Sequence, residues 1–149
     1  MLCEQITIDL NGYPVKVFDT AGLRETDDTV ESIGVDLAKE KLESCQLRIV
    51  VLDTYEMLSA KTNLKEYSIL NELINVDSII VLNKIDLVNS KSQVDQLASE
   101  LQRAFSPLRV CKTSCNTETS SVSNFLSELS SIVEHRYVPN VDMALYDKV

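Results

Sequence analysis

The sequence predicts an α/β protein, a Rossmann-like three-layer fold in which crossover helices cover a parallel sheet. Three observations lead there. Apolar runs of strand length alternate with stretches of helical periodicity along the 149 residues, the pattern of βαβ units. The runs at 48–53 and 78–83 have unbroken apolar centres, which suits strands covered on both faces. Polar clusters follow the strand ends, where open α/β sheets place their ligands.

The elements follow in order. Residues 4–10 alternate, with Ile6, Ile8 and Leu10 apolar and Thr7 and Asp9 polar, which predicts a half-buried strand. Asn11-Gly12 supplies the positive φ of a tight hairpin, so the strand at 14–18 pairs antiparallel with the first. The polar stretch 23–28 leads to a helix carrying Val30, Ile33, Leu37, Ala38 and Leu42, with Asp27 and Asp28 at its positive end. Gly34 within that helix costs up to ~1 kcal/mol against Ala, which points to close packing or flexibility there. After the strand at 48–53, Leu64, Tyr67, Leu70 and Ile74 mark a helix, and 78–83 is the next buried strand. Ser90 and Gln93 form a capping-box pattern opening a helix with Val94, Leu97, Leu101 and Ala104 inward, and Pro107 follows its end. A short strand at 108–111 precedes a last helix carrying Val122, Phe125, Leu126, Leu129, Ile132 and Val133. Residues 138–149 read as a polar, frayed tail beyond a domain spanning 1–137.

Composition narrows the function. The apolar fraction of 44% suits a globular core, and with aromatics at 5% and no Trp that core is aliphatic. A net charge of −9 opposes direct binding of a polyanion, so contact with nucleic acid is expected only indirectly. Cys3, Cys45, Cys111 and Cys115 do not fit a zinc spacing, and a reducing compartment is the simplest reading. No apolar run approaches the ~18 residues of a membrane span. The first five residues, Met1 to Gln5, read as neither a signal nor a transit peptide.

Two tetrads carry the chemistry. Asp19-Thr20-Ala21-Gly22 ends the apolar run Val15 to Phe18. A strand parks the Asp19 carboxylate where it holds Mg²⁺ directly or through water, and Gly22 lets a backbone N–H approach a terminal phosphate. Asn83-Lys84-Ile85-Asp86 repeats the design after the strand at 78–83. Both follow apolar strands, in this order and about sixty residues apart. That joint pattern resembles the GTPase superfamily, and it implies a P-loop-NTPase-like version of the α/β fold.

On that resemblance, Asp86 accepts hydrogen bonds from guanine N1–H and the 2-amino group, which adenine does not offer in that geometry. The stem of Lys84 covers a ring face, and Asn83 ties neighbouring loops together. Ser114-Cys115-Asn116 is similar to the family's Ser-Ala-Lys loop, whose backbone N–H groups meet the guanine O6, with Cys115 in the place of Ala.

Asp19 to Thr26, with Glu31 and Ile33-Gly34 beyond, narrows the resemblance to the G domain of MnmE/TrmE-type tRNA-modification GTPases, over residue 4 to about 135. There the residue after the first tetrad is apolar, as Leu23 is, and a Glu further along orients the attacking water through a second water. The matching position is Glu31, which makes it the catalytic candidate. The resemblance implies GTP, Mg²⁺ and K⁺, a flavin-containing partner in wobble-uridine modification, and dimerisation through the G domain. It also implies a mitochondrial location in a eukaryote and a cytoplasmic one in a bacterium.

A phosphate cradle of the form Gly-x-x-x-x-Gly-Lys-Ser/Thr is not among these residues: Gly12, Gly22 and Gly34 are the only glycines, and none precedes a lysine. The family pattern therefore reads as a G domain without its first strand and P-loop, expected to be inactive as such. In the family's sheet that strand lies between those at 14–18 and 48–53, which would then either lack a common neighbour or close up together. Two rival readings stay open: a non-catalytic interaction module that retains the fold, and another translation-linked GTPase of the ribosome-assembly type.

Overall fold

The computed structural model describes residues 4–19, 43–59, 70–116 and 120–137. β1 (Glu4–Leu10) and β2 (Tyr13–Asp19) form an antiparallel hairpin in the register Leu10 to Tyr13. Asn11 and Gly12 sit at φ 54° and 89°, and the Gly12 N–H donates to Asp9 Oδ1 at 2.8 Å. The hairpin is the one predicted, and its cause is the same: both turn positions need positive φ.

β3 (Arg48–Asp53) runs directly into a short helix, α1 (Thr54–Ser59). β4 (Ser78–Asn83) is followed by a 3₁₀ turn at Ile85–Leu87, then α2 (Lys91–Phe105), β5 (Arg109–Lys112) and α3 (Ser120–Tyr137). The order β3-β4-β5 is parallel throughout. Among the described residues no helix is long and apolar enough to cross a membrane.

β4 is the axis of the core because its two faces serve two clusters. Ile79 and Val81 pack with Leu10, Cys111, Leu129 and Val133, which joins the hairpin and α3 to one side of the sheet. Ile80 and Leu82 pack with Leu70, Ile74, Leu97 and Leu101 on the other side. The period-two alternation of an extended strand divides four consecutive apolar residues between two layers. The three-layer α/β fold is thus present as predicted.

Two expectations are corrected. β3 is not covered on both faces: Ile49 and Val51 are 42% and 61% exposed, because among the described residues β3 is an end strand of its sheet and the covered position belongs to β4. Ala104 is exposed, and Phe105, four residues after Leu101, continues the buried stripe of α2. On α3 the packed stripe runs through Phe125, Leu129, Ile132 and Val133, which leaves Leu126 43% exposed.

The hairpin and the parallel sheet remain two separate sheets, so β2 and β3 have not closed up together. A cavity of about 610 Å³ lies between them, lined in part by Val15, Val17, Leu47 and Ile49.

Candidate functional site

Asn83 ends β4, and Lys84 breaks the strand by adopting the left-handed conformation, φ 60° and ψ 33°. The chain then turns through Ile85–Leu87, which swings Asp86 towards the loop after β5. Two backbone bonds stitch these loops together: Thr113 N–H to Leu82 O at 2.8 Å, and Ile85 N–H to Thr113 O at 3.3 Å. Parallel pairing of β4 with β5 makes this contact unavoidable, since both strands end at the same edge.

Side chains complete the cluster. The Ser114 hydroxyl donates to Asp86 Oδ1 at 2.5 Å, and Asn116 Nδ2 donates to Oδ2 at 3.5 Å. Ser114 is itself 1% exposed, and its backbone N–H donates to Ser121 Oγ at 3.0 Å, so the start of α3 holds the loop. Ser114 above all, then the backbone and Asn116, holds the Asp86 carboxyl below its ordinary value, against an opposing effect of burial. The result is an ionised acceptor with both oxygens oriented and the residue exposed.

Asn83 ties loops together as expected. Its Oδ1 accepts from Thr113 Oγ1 at 3.2 Å and faces the Cys115 thiol at 3.7 Å, while its backbone carbonyl accepts from Thr54 Oγ1 at 2.6 Å. Lys84 Nζ pairs with Asp53 Oδ2 at 2.5 Å. The Lys84 hydrogen bond does most to hold Asp53 below its ordinary value; burial opposes it, and the Glu56 N–H adds to it.

The structure therefore brings together Asn83, Lys84, Asp86, Ser114, Cys115 and Asn116 at the carboxyl ends of β4 and β5. Asp19 is placed at the end of β2 by its backbone alone. Thr20, Ala21, Gly22 and Glu31 lie outside the described residues, as do the helix expected from residue 30 and the tail at 138–149. Among the described residues no three His, Cys, Asp or Glu side chains form a metal cage. For the nucleotide, the described groups fit the base: Asp86 is an exposed, ionised carboxylate, and Lys84, two residues before it and more than half exposed, carries an alkyl stem. Sequence reasoning missed Asp53, Thr54, Thr113 and Ser121. A signal for the first two was present, because Asp53-Thr54 also follows an apolar strand.

Comparison with known proteins gives consistent matches. A sequence model of the 50S ribosome-binding GTPase family matches residues 3–84. The chain is 39% identical over 94 residues to the tRNA modification GTPase MnmE of Streptococcus pyogenes serotype M4 (strain MGAS10750), which is 63% of this chain and 19% of that protein. It is 42% identical over 80 residues to the protein of that name from Clostridioides difficile (strain 630), 54% of this chain and 17% of that one. The chain thus spans less than a fifth of the length of these relatives. Among solved structures, a putative nucleolar GTP-binding protein 1 from Plasmodium falciparum shares the fold, with a TM-score of 0.55 at 19% identity over 88% of this chain and 71% of that one.

Proposed function

Because this chain belongs to the 50S ribosome-binding GTPase family, whose model matches more than half of it, we propose that it is the guanine-recognising part of a tRNA-modification GTPase of the MnmE type. One observation carries the reading. Asp86 is ionised, held by Ser114 and Asn116, and stands beside Asn83 and Lys84 where the strands end. Two carboxylate oxygens match the two adjacent donors on the guanine edge, and an adenine edge would leave that carboxylate with its 6-amino group displaced and no second donor.

The identity to MnmE proteins supports the tRNA-modification reading, and the whole protein's chemistry follows from it as part of the same proposal. Asp19 would hold Mg²⁺, with Thr20, Ala21 and Gly22 near the terminal phosphate. Glu31 would orient the attacking water, K⁺ would assist, and a flavin-containing partner and a second G domain would complete the assembly. Hydrolysis needs a phosphate cradle, and the 149 residues hold none, so base recognition is the activity assigned to these residues themselves.

Ligand-observed saturation-transfer NMR with guanosine, xanthosine and adenosine monophosphates (GMP, XMP and AMP) tests this on the full chain. The expected order places GMP first, and Asp86→Asn moves the preference to XMP, since an amide donates to a 2-oxo group where the carboxylate only accepts. Equal signals for the three nucleotides, or an unchanged order in Asp86→Asn, would remove Asp86 from a base site.

A further inference from the structure

The base-site residues are met from behind by a corner that the family motif does not include. Asp53 pairs in register with Asn83, so the acid ending β3 lies one strand away from the start of the motif. Its two oxygens have separate tasks. Oδ1 accepts the Glu56 N–H at 3.1 Å, as a capping residue does for α1, and Oδ2 takes the Lys84 ammonium at 2.5 Å. The next residue, the fully buried Thr54, donates its hydroxyl to the Asn83 carbonyl at 2.6 Å.

We propose that Asp53 is a positioning residue for nucleotide recognition: by holding the Lys84 ammonium at the end of β3, it lays the lysine's alkyl stem across the strand ends as one wall of the base pocket. This rests on the reading that Asn83, Lys84 and Asp86 receive guanine. Lys84 is a flexible side chain, more than half exposed, on a left-handed backbone position that side chains disfavour. Left to itself, its stem would sample many rotamers and lose that freedom each time a base arrived. Asp53 is the fixed end of the pair, with a side chain 18% exposed and locked by the α1 N–H. The ion pair therefore supplies the wall in advance, and pre-organisation of this kind appears in affinity rather than in folding.

Asp53→Asn separates the two tasks, because Asn caps a helix as well as Asp does while losing the charge that holds Lys84. GMP affinity is measured by saturation-transfer NMR on the full chain in four forms: wild type, Asp53→Asn, Lys84→Met and the double variant, each with a thermal melt. The expected result is an affinity loss of about three- to tenfold in Asp53→Asn at an unchanged melting temperature, and no further loss from it in the Lys84→Met background. Asp53→Ser, also a capping residue, repeats the measurement should the amide variant fail to fold. If Asp53→Asn binds GMP like the wild type while Asp86→Asn still reverses the base preference, the base site stands and the role of Asp53 falls. A full additional loss in the Lys84→Met background also overturns it, since Asp53 would then act by another route. If neither Asp53→Asn nor Asp86→Asn changes GMP binding, both the base-site reading and this inference fall.

Discussion

Two cysteines four residues apart show how the same side chain takes opposite characters. Cys111 is on β5, 7% exposed, within the cluster shared by the hairpin and α3, and its thiol faces Glu128 Oε2 at 3.5 Å. Burial first, and the Glu128 charge second, push its pKa up to about 12, so almost none of it is thiolate at neutral pH. Cys115 is exposed at the candidate base site, with its sulfur 3.7 Å from Asn83 Oδ1. Iodoacetamide at neutral pH is therefore expected to alkylate Cys115 at least ~10-fold faster than Cys111, with GMP slowing only the former. Peptide mass mapping over time reads both rates, and equal labelling would mean that the cluster around Cys111 opens readily. The sequence offered Cys115 as the small residue of a loop whose backbone would meet the guanine O6. Its approach to Asn83 depends on the pairing of β4 with β5, which residue types alone do not specify.

At the scale of elements, legibility followed locality. The Asn11-Gly12 hairpin and the α2 start at Ser90 were readable because a turn and a cap are each decided within four residues. β4 was readable because its apolar run is long enough to need cover on both faces. β3 has nearly the same composition, yet among the described residues it ends its sheet, and a strand's place in the sheet order is a property of the whole chain. The same division applies to the site. Asn83, Lys84 and Asp86 announce themselves in one stretch, whereas the Asp53–Lys84 pair exists only because β3 and β4 run parallel in register. α2 lets local and tertiary contributions be weighed directly. The Ser90 hydroxyl accepts the Gln93 N–H at 3.4 Å, a long bond, so Ser90→Ala is expected to cost about 0.5–1 kcal/mol, the low end for a lost cap. Leu101 is fully buried between α2 and β4, and Leu101→Ala is expected to cost about 2–5 kcal/mol. Urea denaturation separates them, and a Ser90→Ala loss equal to that of Leu101→Ala would mean that the helix is held by its cap rather than by its packed face.

At the scale of the whole molecule, the described residues form two sheets that share a core without sharing a ladder. The hairpin reaches the parallel sheet through Leu10, Ile8 and Val15, which pack against Ile79, Val81 and α3, but among the described residues no backbone bond joins β2 to β3. Among the described residues neither strand pairs with a further one on the side of the cavity of about 610 Å³ between them, which leaves each an edge there. Such an edge is a template for a strand from another copy, and β3 makes it worse by exposing Ile49 and Val51. The net charge of −9 opposes association at long range, but hydrogen bonds along an edge act at contact, where salt screens the repulsion. The expectation is that the chain self-associates above its 16.7 kDa monomer mass on sizing chromatography with light scattering, more strongly as salt is raised. Val51→Lys discriminates the mechanism. Val51 is 61% exposed, so the change removes little packing and places a charge on the strand edge, which is how natural sheets block such pairing. The variant should shift towards monomer at an unchanged melting temperature. A sharp wild-type monomer peak with a single cooperative melt, at low and high salt alike, would show instead that the β2 and β3 edges are sealed in solution.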